Sequence, residues 1–243
     1  MSRATEPQPP PREVDPAIVL RELANRWRGA ASLEYRSEVV VSHAGEFRLD
    51  LRTHIILRRP SRARLVFRAK GFPEANRLRV CDGRQIFDRM SGRVGDTSRT
   101  ITTSLARTGR ITDNLSHPLD EAGYCVAQFF SPTPFVPPAS FGGGDLGPSK
   151  TVARRRRQPP AGKNRAGREV FEIVFTRGNS RDTLTLDALS YAPLLLVRVG
   201  EHGGSVQELL RESFTEMRLN PLLPSALFRW SPADDAGYEG ASL

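Results

Sequence analysis

The chain has 243 residues, of which 38% are apolar and 26% charged, and its net charge is +9. That balance is too apolar for a disordered chain and too charged for a membrane-embedded one, and the length suits one large all-β domain or two small ones. The basic side is 33 Arg against 3 Lys, so the surface carries weakly hydrated, fork-shaped donors that favour anionic partners without choosing among nucleic acid, phospholipid and acidic protein.

Residues 1–13 are polar and Pro-rich (Pro7, Pro9, Pro10, Pro11), which predicts a disordered or extended lead-in. The stretch MSRATEPQPPPREVDP lacks the apolar core of a signal peptide, and no run approaches the ~18–20 apolar residues that span a bilayer. Asp15-Pro16 reads as a helix start, with Asp15 as cap and Pro16 in the first turn. Ala17, Leu20, Leu23, Ala24 and Trp27 follow at helical spacing, so the helix ends near Gly29.

From Leu33 the period becomes two. Phe47, Leu49, Leu51, Thr53, Ile55 and Leu57 share one face of a long strand, and Arg48, Asp50, Arg52 and His54 share the other. Pro60 marks a turn, after which Ala63, Leu65 and Phe67 alternate with Arg62, Arg64 and Arg68. Asp82-Gly83 between two apolar runs is a strong hairpin signal. A meander of antiparallel strands therefore fills the first third.

The alternation lapses over 96–150. Ser104–Leu115 and Leu119–Phe130 read as helices, and a Pro/Gly-rich stretch follows, so the segment is expected to be a helical lid over the sheet. Residues 151–168, with Arg154, Arg155, Arg156 and Arg157, read as a basic loop. Strands resume at 169 with Phe171, Ile173 and Phe175. They continue through Leu184 and Leu186, Leu194–Val199 and 205–218, with Phe228 and Trp230 at the close. Strands before and after a helical insert, without β-α-β alternation, argue for one large antiparallel sheet that curls.

Signals for chemistry are sparse. No G-x-S-x-G elbow is present, and Gly142-Gly143-Gly144 lacks the Lys and Ser/Thr of a phosphate loop. His43, His54, His117 and His202 have no second ligand at metal spacing, and His54 reads as part of a solvated face. Asp82, Asp88 and Asp187 sit in turn contexts. Cys81 and Cys125 are two buried thiols or one bridge. No aromatic residue interleaves with the arginine run, which argues against nucleic acid. No catalytic residue, metal or cofactor is expected.

Several segments, in order, resemble the LolA/LolB-like outer-membrane lipoprotein-sorting superfamily, nearest its uncharacterised periplasmic branch. These are the helix DPAIVLRELANRW, the basic-Pro element LRRPSRARLVF, the hairpin RVCDGRQIF, the strand pair DTLTLDALSYAPLLLVRV and the ending RLNPLLPSALFRWSPADDA. The resemblance spans roughly residues 14–236. It implies a mainly β (α+β) fold, a single curved antiparallel sheet forming a half-barrel, covered by the N-terminal helix and the 96–150 lid, with a 237–243 tail. It also implies a monomeric carrier of lipid or lipidated protein, placed in the periplasm or cell envelope; the lack of a visible signal peptide leaves the cytoplasm open. The expected cavity lining is Leu49, Leu51, Ile55, Leu65, Phe67, Phe171, Ile173 and Phe175 from the sheet, with Trp27, Phe129 and Phe130 from the covers. The alternative is an envelope or regulatory interaction module with a filled core, acting through Arg154–Arg157 on an anionic membrane surface or acidic partner.

Overall fold

The computed structural model describes residues 11–43, 47–72, 76–94, 97–106, 124–130, 150–158, 167–202 and 204–230. Strand β1 (Arg12–Val14) leads into helix α1 (Pro16–Arg28). Strands β2 (Ser32–His43), β3 (Phe47–Arg58), β4 (Arg62–Ala69), β5 (Arg77–Cys81), β6 (Gln85–Val94) and β7 (Thr97–Ala106) follow. Helix α2 (Tyr124–Phe130) precedes β8 (Lys150–Gln158), β9 (Arg168–Arg177), β10 (Ser180–Asp187), β11 (Pro193–His202) and β12 (Ser205–Leu219), and a 3-10 turn (Ser225–Phe228) ends the described chain. The strands form one twelve-stranded sheet in the order β1-β8-β9-β10-β11-β12-β2-β3-β4-β5-β6-β7. Its two ends, β1 and β7, do not pair with each other, so the sheet is antiparallel but not closed into a barrel.

Contacts divide the chain into two compact units: Met1–Arg26, Val40–Arg48 and Phe135–Phe214 make the first, and Trp27–Val39, Leu49–Pro134 and Thr215–Leu243 the second. In the first unit α1 starts as its sequence requires. The Asp15 carboxylate accepts the Ala17 N–H at 2.8 Å, and Pro16 occupies a position whose N–H would lack a helical partner anyway. Antiparallel partners share a face, so register writes rows across the sheet. One row is Val14, Ala153, Ile173, Leu184, Leu196 and Glu212. The next runs Thr151, Phe175, Asp182, Arg198 and Leu210. Ile173, Leu184, Leu210 and Glu212 are fully buried. In the second row Arg198 donates to both Asp182 carboxylate oxygens, at 2.8 and 3.1 Å, the fork geometry that best offsets the cost of burying two charges.

The second unit repeats the pattern. Its rows are Leu57, Ala63, Cys81 and Ile86; then Ile55, Leu65, Arg79 and Asp88; then Thr53, Phe67, Arg77 and Met90. On the opposite face the segment after β12 lies along the strands. Arg58 donates to the Leu223 carbonyl at 3.4 Å, Arg64 to the Leu227 carbonyl at 3.5 Å, and Phe87 stacks on Trp230 at 5.4 Å. Asn220, at φ 57°, latches this segment to the start of β2 by accepting the Ala31 N–H at 2.7 Å and donating its own N–H to Ser32 at 2.9 Å. Strand β5 is consequently buried along its whole length.

Several expectations hold. The alternation of β3 is observed, with Leu49, Leu51, Thr53 and Ile55 buried and Arg48 and Arg52 exposed. The Asp82-Gly83 hairpin forms, with Gly83 at φ 101° and the Asp82 carboxylate accepting the Arg84 and Gln85 N–H groups at 2.7 and 2.8 Å. Four expectations are corrected. Arg12–Val14 is not lead-in but strand β1, paired with β8. The basic loop at 151–168 is largely β8 and the start of β9, because Arg154 stands between Glu13 and Glu172 and Arg157 opposite Glu169. Carboxylates on the neighbouring strands offset the guanidinium repulsion. The 96–150 segment opens with strand β7, so Ser104–Ala106 is extended and not helical; Thr97, Thr100, Ile101, Thr102 and Thr103 are β-branched residues that favour a strand. After β12 the chain closes in a 3-10 turn rather than a strand, since Pro221 and Pro224 cannot donate to a ladder. Residues 107–123, 131–149 and 231–243, including His117 and Gly142–Gly144, lie outside the described residues. Of the expected helix Leu119–Phe130, Tyr124–Phe130 is observed.

Position in the rows decides tolerance to substitution. Ile173→Ala, at a fully buried position in the middle of its row, is expected to lower the unfolding free energy in urea by about 2–5 kcal/mol. Leu189→Ser, at a site 87% exposed, is expected to change it by less than about 0.5 kcal/mol.

Candidate ligand-binding face

The residues expected to line a cavity fall in two groups. Leu49, Leu51, Ile55, Leu65 and Phe67 lie on one face of β3 and β4 in the second unit, each 0–6% exposed. Phe171, Ile173 and Phe175 lie on one face of β9 in the first unit, also buried. Trp27 and Phe129 are buried, and Phe130 is half-buried. Surfaces this closed touch no water-sized space, so the face in this conformation is shut.

What holds it shut in the second unit is a constellation around Arg59, in the turn between β3 and β4. Its guanidinium donates to the carbonyls of Ala30 at 3.0 Å, Trp27 at 3.4 Å and Phe129 at 2.5 Å. Trp27 lies at the end of α1 and Phe129 at the end of α2, where carbonyls have no helical partner and the helix dipole is negative. The same guanidinium lies 4.7 Å from the Phe129 ring centre, and Phe129 meets Trp27 edge-on at 6.4 Å and Phe130 at 5.2 Å. Burial lowers the Arg59 pKa from its ordinary value, although a guanidinium stays charged in a protein.

Away from Arg59 the face changes character. Arg77 and Arg79 sit opposite Phe67 and Leu65, and both guanidinia bind Asp88 on β6. Arg77 Nε reaches Oδ1 at 2.7 Å and its Nη2 reaches Oδ2. Arg79 Nη2 and Nε reach Oδ2 at 2.6 and 3.3 Å. Desolvation alone would raise the Asp88 pKa; the hydrogen bonds from Arg77 and Arg79 outweigh it and hold the carboxyl below its ordinary value. Asp88 is thus a strand residue facing two guanidinia, in place of the turn residue expected. Its partners were readable from the hairpin, which sets Arg79 opposite Asp88 once the turn is placed at Asp82-Gly83. Arg59 carried no comparable signal, because its partners are backbone carbonyls of two distant helix ends.

The remaining candidates are placed elsewhere. Arg155 pairs with Glu169, and Arg156 with Glu172 at 2.5 Å. His54 is only 22% exposed, 2.9 Å from the Glu34 carboxylate, and not on the open solvated face expected. Asp187 is a turn residue, accepting from the Ser190 N–H at 2.7 Å and the Ser190 hydroxyl at 2.8 Å. Cys81 and Cys125 are free and buried.

No protein-family model and no curated protein matches the chain. Among solved structures it is similar to MucB in complex with MucA(peri), at 14% identity and TM-score 0.37, over 90% of this chain and 60% of that one. It is also similar to a LolA superfamily protein from Nitrosomonas europaea, at 10% identity and TM-score 0.35, over 89% of this chain and 98% of that one. A third is a putative outer membrane lipoprotein-sorting protein domain from Vibrio parahaemolyticus, at 11% identity and TM-score 0.29, over 87% of this chain and 97% of that one. The chain thus spans 60% of the length of the MucB chain it matches.

The Asp88 cluster gives a signed pH dependence. A carboxyl with a depressed folded pKa stabilises the fold above its unfolded value of about 3.9 and loses that contribution as pH falls through the folded value. Asp88→Asn is therefore expected to be less stable than the parent at pH 7, with the gap in urea unfolding free energy narrowing below about pH 4. A gap that stays constant on acidification would contradict this.

Proposed function

We propose that this chain is a non-enzymatic binding protein for a hydrophobic ligand, with the acyl chain of a lipid or lipidated protein as cargo and the cell envelope as its place of work. The observation that carries this reading is the apolar face of β3 and β4, together with two helix ends tied to the adjoining turn by one guanidinium. Opening then means releasing the end of α1 and all of α2 while the strands stay paired. A buried methylene contributes ~0.8 kcal/mol, so a sixteen-carbon chain gains roughly 12 kcal/mol gross. Displacing two aromatic side chains such as Trp27 and Phe129 costs about 3–5 kcal/mol each. The exchange is favourable without any specific polar contact.

Action through a basic loop has less support. Arg154–Arg157 lie in a paired strand beside Glu13, Glu169 and Glu172, so their charge is offset within the fold.

Native mass spectrometry of the purified protein with oleate and with an acylated peptide tests the reading, and a 1:1 complex with either is the expected result. Binding of neither overturns it. Arg59→Ala is expected to weaken the closed form by about 1–3 kcal/mol and so to tighten oleate binding by about tenfold, with a red shift of tryptophan emission in the free protein. Unchanged affinity and unchanged emission would remove Arg59 from the closing device.

A further inference from the structure

We propose that the Arg77–Asp88–Arg79 cluster receives the anionic headgroup of an amphiphilic ligand whose hydrocarbon chain lies over Phe67, Leu65 and Ile55. This rests on the hydrophobic-ligand reading above and names the polar end of that ligand.

Four observations carry it. First, the cluster shares a face with the apolar residues: Arg77 is directly opposite Phe67, Arg79 opposite Leu65, and Ile55 lies one strand beyond Leu65. Neighbouring strands are about 4.8 Å apart, so a headgroup at the cluster leaves its chain to run across β4 and β3. Second, the guanidinia are buried, their side chains 5% and 7% exposed, and Asp88 is 16% exposed. A face meant only for hydrocarbon gains nothing from three buried charges, since desolvating each ion costs several kcal/mol. Third, two cations meet one carboxylate, which leaves an excess of one positive charge within the trio. Fourth, Asp88 engages Nε and Nη2 of Arg77, leaving the two N–H groups of Nη1 for a further acceptor. Asp88 is then the group that fixes both forks, and its depressed pKa keeps it ionised for that task. A carboxylate or phosphate is the acceptor that a guanidinium fork fits best.

The experiment is calorimetric titration at about pH 9, where a fatty acid is ionised. Oleate, oleyl alcohol and inorganic phosphate are added in turn to the parent protein and to Arg77→Met. The expected result is oleate tighter than oleyl alcohol by about tenfold on the parent, with the ratio falling to near one on the variant. Equal binding of oleate and oleyl alcohol to the parent overturns the headgroup site and leaves the hydrophobic-ligand reading intact. A tenfold ratio kept by Arg77→Met, with circular dichroism matching the parent, overturns it too. Binding of neither amphiphile defeats the underlying reading itself. Phosphate bound without oleate overturns the amphiphile in favour of a free anion. If Arg77→Met does not fold, the oleate-to-alcohol ratio on the parent decides alone.

Discussion

The guanidinium of Arg59 holds three carbonyls that belong to two helix ends, and the closed state of the second unit depends on it. Helix ends carry unpaired carbonyls and a partial negative charge, so one delocalised cation satisfies both at once. Each of its bonds could be replaced by water in an open state. A closure of this kind is strong enough to exclude water and weak enough to yield to a ligand that buries a long hydrocarbon chain. The short length of α2, from Tyr124 to Phe130, points the same way: seven residues cannot hold a helix by themselves, and packing of Phe129 supplies what propensity does not.

Register does the remaining work. Because paired positions share a face, a few rows decide what each face presents, and the rows of the second unit pass from Ile55 and Leu65 to Arg79 and Asp88 within four strands. The first unit shows the same juxtaposition, with Asp182 and Arg198 in the row that holds Phe175 and Leu210. Buried forked pairs of this kind add little net stability. They fix side-chain direction on a face where hydrophobic packing alone would tolerate several arrangements, and they offer polar contacts that a purely apolar face lacks.

Much of this was legible in the residues. Strict alternation from Leu49 to Leu57 marked β3 and its buried side, and Asp82-Gly83 fixed a hairpin. Asp15-Pro16 marked the start of α1. The misreadings share a cause: apolar alternation reports burial, and a strand can form without it. Strand β8 carries four arginines in a row because Glu13, Glu169 and Glu172 stand on its neighbours, and Thr-rich β7 is held by backbone pairing with β6. Arg59 was illegible for a different reason. Its importance lies in carbonyls 29 and 70 positions away, and carbonyls are the same whatever the residue. Arg77, Arg79 and Asp88 stand between; each is ordinary in sequence, and only the hairpin register brings them together.

Hydrogen exchange with and without oleate tests the central claim most directly. A ligand that displaces the helix ends should speed exchange at the end of Pro16–Arg28 and across Tyr124–Phe130, while Arg62–Ala69 and Arg77–Cys81 stay protected. Exchange that slows in those helices on ligand addition, or does not change while oleate is bound, would contradict an apolar face uncovered by release of Arg59.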